Sequence, residues 1–191
     1  MRSLSALAFT ALAAATLGAC ASDGDQAAIP APAPRSAWVV GADGSAIGQA
    51  IFTEAPAGVL IRLEFSPGAL PPGWHGLHIH GAGTCTDFAD GFRASGAHQG
   101  HNEDTAHGLL NPEGPEPGDL PNLFAPPSGP FAAEVYSPWL TLGPVEKDKR
   151  EPLLDADGAA LVVHAGPDDH ATQPIGGAGA RIGCAAITNL P

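Results

Sequence analysis

From Val59 to Phe65 the chain places Arg62 and Glu64 between Ile61, Leu63 and Phe65. A period of two predicts a β-strand with one dry and one wet face. Other short apolar stretches follow the same plan. Trp38-Val39-Val40 precedes the turn residues Gly41 to Gly44, Ala46 to Phe52 precedes Ala55 to Gly58, and strand character returns at Ala159 to Val163 and at Arg181 to Ile187. With 25 glycines and 20 prolines, long helices have little room. Short strands at regular spacing, separated by Gly/Pro turns, predict an all-β sandwich or barrel. Between His80 and Ala160 the chain is polar and rich in Pro and Gly, broken by Leu140-Thr141-Leu142 and a few other strand-like pieces. Loops of that length inside one domain usually carry function.

All eight histidines fall between residues 75 and 170. In His78-Ile79-His80 the i, i+2 spacing puts both imidazoles on one face of a strand and Ile79 on the other. Two converging neutral imidazoles are the beginning of a copper or zinc site. His98, His107 and Asp119 lie in the long loop, and His164 closes the strand Ala160 to Val163. Imidazoles with a carboxylate suit a divalent metal, so the chain carries donors for two ions. On a regular strand His75 faces away from His78 and reads as a surface or supporting residue. His101 and His170 read as solvated loop residues, with a ligand role as the alternative for His101.

The N-terminus has the order of an export signal: Arg2, then an apolar run from Leu4 to Leu17, then small residues. Leu17-Gly18-Ala19-Cys20 resembles the lipobox of bacterial lipoproteins. This divides the chain into a lipoprotein signal peptide (1–19), a Pro- and Ala-rich tether (20–36) beginning at a lipidated Cys20, and a folded domain (37–191). Of three cysteines, Cys85 and Cys184 then remain as an even pair in an oxidising compartment, which predicts a disulfide. A formal charge of −12 with no basic run excludes a nucleic-acid partner.

Seven segments, in order, resemble the bacterial periplasmic branch of the copper/zinc superoxide dismutase family. They are Pro72 to His80, the Cys85 that follows, Ser95 to His98, His107 to Pro112, Gly118 to Leu123, Val162 to Asp169, and Gly179 to Cys184. The resemblance implies a Greek-key β-barrel or flattened sandwich with long functional loops. It implies copper held by His78, His80, His98 and His164, and zinc held by His98, His107, Asp119 and one further group. Asp168 matches the carboxylate that links a copper-ligand ring to a zinc-ligand ring, and Cys85 and Cys184 match the family's disulfide. Arg181 matches the arginine that receives the anionic substrate. The implied activity is disproportionation of superoxide to oxygen and hydrogen peroxide, with His98 also relaying a proton to the peroxide. A non-catalytic copper-handling protein of the same fold is the alternative.

Two departures stand out. Glu116 occupies the position, three residues before Asp119, where the family usually has histidine, and is a candidate fourth zinc donor through oxygen. The segment Gln99 to Glu103 replaces the family's Phe-Asn-Pro, and the span from His98 to His107 is one residue longer than usual. The implied location is the periplasm, with membrane attachment through the lipid alone; monomer and homodimer remain open.

Replacing Cys20 by Ala is expected to move the protein from the membrane to the soluble fraction of disrupted cells. Retention in the membrane would remove the anchor.

Overall fold

Burial follows the period-2 pattern. In a computed structural model that describes residues 33–102 and 104–188, β3 (Gly58–Phe65) buries Ile61, Leu63 and Phe65 and exposes Arg62 and Glu64. The expected signal peptide, Cys20 and most of the tether lie outside the described residues. β1 (Arg35–Gly41) begins within the stretch expected to be tether, because Arg35 and Ser36 already pair with Phe52 and Ile51 of β2 (Ala46–Ala55).

After β3 come β4 (Gly73–His75), β5 (Leu77–His80), β6 (Leu123–Ala125) and β7 (Phe131–Ser137). The chain continues through β8 (Leu140–Thr141), β9 (Glu151–Pro152), β10 (Ala159–His164) and β11 (Arg181–Ile187). Seven of these form one antiparallel sheet in the order β5-β10-β11-β1-β2-β3-β7. β1, β2 and β3 are joined by hairpins and β11 returns from the far end of the chain to lie beside β1, the Greek-key order. The sheet curls, since Leu77 and Ile79 at one edge and Val135 at the other belong to a single apolar core. Beside β5 the open edge is taken by the long loop: Asp119 bridges His78, and β6 pairs with β4.

β10 explains where a site can form. Its six residues are all buried, as a continuous apolar run implies. Leu161 and Val163 face the main core, whereas Ala160 and Val162 face a second cluster with Phe92, Cys85 and Cys184. Cys85 and Cys184 form the expected disulfide across 99 residues of sequence, fastening the loop after β5 to β11. A closed loop of that size stabilises the fold by about 4 to 5 kcal/mol in the chain-entropy description.

At the opposite end of β2, buried Glu54 accepts hydrogen bonds from the Leu142 amide at 2.6 Å, the Thr141 hydroxyl at 3.2 Å and the Arg150 guanidinium at 3.3 Å. These contacts hold β8 and β9 against the sheet. Removing one partner of such a pair strands the other charge. Glu54→Ala is therefore expected to lower unfolding stability by about 3 kcal/mol, read as a shifted denaturant midpoint at unchanged slope. A shift within error would show that Arg150 finds another acceptor.

Candidate metal centre

In the ladder between β5 and β10, Val162 pairs with His78 and Ala160 with His80. Leu77 and Ile79 are committed to the core, so alternation turns His78 and His80 to the other face, beneath the long loops. His164 joins them at the end of β10, where the register with β11 shifts between Val163 and His164. His98 arrives on the loop, docked like an extra strand: His80 bridges His98, and the Gln99 amide donates to the Ile79 carbonyl at 2.8 Å. Ring centroids then lie 4.1 Å apart for His78 and His98, 4.8 Å for His78 and His164, and 5.1 Å for His80 and His98.

One nitrogen of each ring is anchored. His80 Nδ1 donates to the Gly96 carbonyl at 2.8 Å, His164 Nδ1 to the Gly179 carbonyl at 2.9 Å, and His78 Nε2 to Asp168 at 2.8 Å. His98 Nδ1 meets Glu116 at 2.7 Å. Among the described residues eight buried side-chain nitrogen or oxygen atoms lack a hydrogen-bond partner, and four are the opposite nitrogens of these rings: His78 Nδ1, His80 Nε2, His98 Nε2 and His164 Nε2. Buried polar atoms normally find partners. Burial, reinforced by neighbouring histidines, pushes His80 down to about 2 and His164 down to about 3, and burial also lowers His78. These three rings are neutral near pH 7, each with a free lone pair. The donor chemistry and the stranded atoms fit a copper ion.

A second cluster shares His78 and His98 with these rings. His107 Nδ1 lies 2.7 Å and His98 Nδ1 3.2 Å from Asp119 Oδ1, and donor atoms of His78, His98, His107 and Asp119 all fall within 4.8 Å of one another. The other Asp119 oxygen accepts the amides of Gly108 at 2.7 Å and Glu116 at 2.9 Å. Here burial would lower the rings, but the hydrogen bonds to carboxylates win: His107 is pushed up to about 10 and His98 is also raised. Two imidazoles with buried carboxylates fit zinc. Asp168 joins the clusters, with one oxygen 2.8 Å from His78 Nε2 and the other 3.2 Å from His107 Nε2.

Arg181 is fixed by donating to the carbonyls of Phe92 at 2.8 Å and Gly96 at 2.9 Å and to the Ser95 hydroxyl at 2.9 Å. It is the cross-strand partner of His164, and its charge helps to depress His80 and His164.

His75 takes the supporting one of its two expected places, His101 is exposed as expected, and His170 departs from expectation. His75 is buried, its ring nitrogens each 2.8 Å from the carbonyls of His164 and Pro71. Gly76 separates β4 from β5, so the regular-strand argument for a surface position fails there. His170 is not solvated: its side chain is 17% exposed, 3.4 Å from Asp168 and 3.2 Å from Asn122. His101 is half exposed yet touches Glu116. The sequence reading also missed Asn122, whose side-chain amide donates to the Asp168 carbonyl at 2.7 Å and accepts from the Asp168 N–H at 2.9 Å. Its place three residues after Asp119 was the available signal.

The sequence model described as copper/zinc superoxide dismutase (SODC) matches residues 46–187, well over half of the 191-residue chain. The superoxide dismutase (Cu-Zn) of Caulobacter vibrioides is 49% identical over 152 residues, covering 80% of this chain and 84% of that protein. That of Escherichia coli K12 is 38% identical over 158 residues, covering 75% and 80%. Among solved structures, the Cu/Zn superoxide dismutase from Brucella abortus has a TM-score of 0.61 at 29% identity, covering 81% of this chain and 99% of that one. A SOD-like protein from Bacillus subtilis has a TM-score of 0.69 at 31% identity, covering 80% and 97%. Joined to two adjoining clusters of metal-donor side chains beneath one face of a curled β-sheet, these matches establish that the chain belongs to the copper/zinc superoxide dismutase family, with superoxide dismutation as its activity and copper and zinc as its cofactors.

Proposed function

We propose that His78, His80, His98 and His164 hold the copper, that His98, His107, Asp119 and Glu116 hold the zinc, and that Arg181 receives superoxide. The observation that carries this assignment is the set of four buried imidazole nitrogens left without partners while every opposite nitrogen is anchored. Bound copper supplies a one-electron couple, whereas zinc has no redox chemistry and supplies charge and order.

The protein's own groups do the rest. Arg181 presents a positive charge whose position is set by three acceptors on the loop fastened by the disulfide. Gly96 offers its carbonyl to both Arg181 and His80, so the anion-receiving group and a copper-facing ring share one backbone anchor. His98 differs from its three neighbours, because Asp119 and Glu116 favour its protonated form. Its Nε2, left without a partner among the protein's own groups, would be the atom that relays a proton to the peroxide product. All four copper-facing imidazoles and Arg181 are present, which favours the enzyme over a copper-handling protein. Cys20 as a lipid anchor and a periplasmic location complete the proposal, supported by the leader pattern and by a disulfide, which persists in oxidising compartments.

Two outcomes test this reading. Arg181→Ala is expected to lower kcat/KM by about tenfold or more and to flatten its salt dependence, with copper content unchanged; full activity with the original salt dependence would remove Arg181 from substrate capture. Zinc must displace protons from both His98 and His107, the latter holding its extra proton up to about 10, whereas copper meets a raised ring only at His98, the rings of His78, His80 and His164 being neutral near pH 7 with their inward nitrogens unprotonated. Falling pH therefore strengthens the proton's competition at the zinc site first. Zinc affinity, measured by chelator competition between pH 6 and pH 9, is expected to rise with pH more steeply than copper affinity, and the opposite order would contradict the assignment of the two clusters.

A further inference from the structure

The zinc-side departures lie against each other. Glu116 is 2% exposed, with Oε2 2.7 Å from His98 Nδ1 and Oε1 against His101 Nδ1. The two segments that bring them together are closely fitted. His101 closes a turn by donating its amide to the His98 carbonyl at 3.1 Å, and the Gly118 amide donates to the Gln99 carbonyl at 3.0 Å. Gly100, at φ +72°, packs so tightly against Pro117 that a Cβ there would lie 2.5 Å from the proline ring. His101 is thus placed beside Glu116 by backbone geometry and not by a flexible side chain reaching across solvent.

Resting on the zinc assignment proposed above, we infer that His101 is the positioning residue for Glu116: its Nδ1–H occupies Oε1 and leaves Oε2, 2.7 Å from His98 Nδ1, as the zinc donor. A glutamate has two competent oxygens and three side-chain torsions where histidine has one rigid ring, so a carboxylate at this position needs an outside partner to fix which oxygen faces the ion. Ligating carboxylates are generally hydrogen-bonded for this reason. The turn through Gly100, closed by the His101 amide on the His98 carbonyl, delivers that partner. Glu116 and His101 act as a pair, in which the carboxylate replaces an imidazole as donor and a relocated imidazole steers the carboxylate.

The test compares zinc affinity by chelator competition, and the visible spectrum of protein carrying cobalt(II) in the zinc site, across His101→Ala, Glu116→Gln, Glu116→His and the His101→Ala/Glu116→His double variant. With its ring 54% exposed, His101 can be truncated without opening the core, and retained copper content checks the fold. His101→Ala is expected to weaken zinc about 10- to 100-fold and to alter the cobalt spectrum. Glu116→Gln is expected to weaken zinc at least as much. In the Glu116→His background, His101→Ala is expected to change neither readout. Unaltered affinity and spectrum in His101→Ala would overturn the inference. So would zinc lost in His101→Ala but kept in Glu116→Gln, which would make His101 itself the donor. Failure of the unaltered protein to bind zinc at all would instead remove the underlying zinc assignment, and the inference with it.

Discussion

A buried imidazole nitrogen with no partner costs free energy, and four such atoms facing one another are tolerated only where something else satisfies them. The protein meets this condition by anchoring the far side of every ring. Gly96, Gly179, Asp168 and Glu116 each accept from, or pair with, one histidine, which fixes ring orientation and leaves the opposite nitrogen aimed inward. Copper affinity and fold are consequently coupled: an ion bound only by the native arrangement stabilises that arrangement by mass action. The anchors are as much a part of the site as the donors.

Two of those anchors come from segments that carry other duties. The loop supplying Gly96 also supplies Phe92 and Ser95 to Arg181, and Phe92 is itself wedged beside the disulfide and the outer face of β10. The segment supplying Glu116 also carries Asp119, whose carboxylate is held by two backbone amides as well as by two rings. Loosening either segment would disturb a metal donor and its neighbour's support together. This coupling gives a physical role to the long polar loops.

What could be read from the sequence followed what local periodicity controls. Alternation at Ile61 to Phe65 and the spacing of His78 and His80 specify faces of strands, and the same rule keeps Ile79 in the core. Cysteine counting reached the disulfide. His98, His107 and Asp119 were visible as candidate donors in the long loop, but their division between copper and zinc, and the linking role of Asp168, came from the family resemblance, because loop residues converge through tertiary contacts that no local pattern encodes. The surface alternative for His75 failed where Gly76 breaks the strand, and His170 was misread where a loop turns back onto Asp168. His101 and Glu116 were visible as separate departures; that they touch depends on the close approach of two turns, one requiring Gly100.

The net charge raises a final question, since a chain of formal charge −12 repels the anion it consumes. Distance decides the outcome. At physiological ionic strength the screening length is about 8 Å, so exposed carboxylates scattered over the surface contribute weakly to the field at the site mouth. The carboxylates nearest the centre, Asp119, Asp168 and Glu116, sit beside raised or hydrogen-bonded imidazoles and would face metal cations, so their charge is locally balanced. Arg181 has no carboxylate among its hydrogen-bond partners, which are two carbonyls and a hydroxyl. Asp87 and Arg93 act on it with opposite signs, so its charge is positioned without being paired off, and a fixed charge at short range outweighs a larger but screened charge of opposite sign.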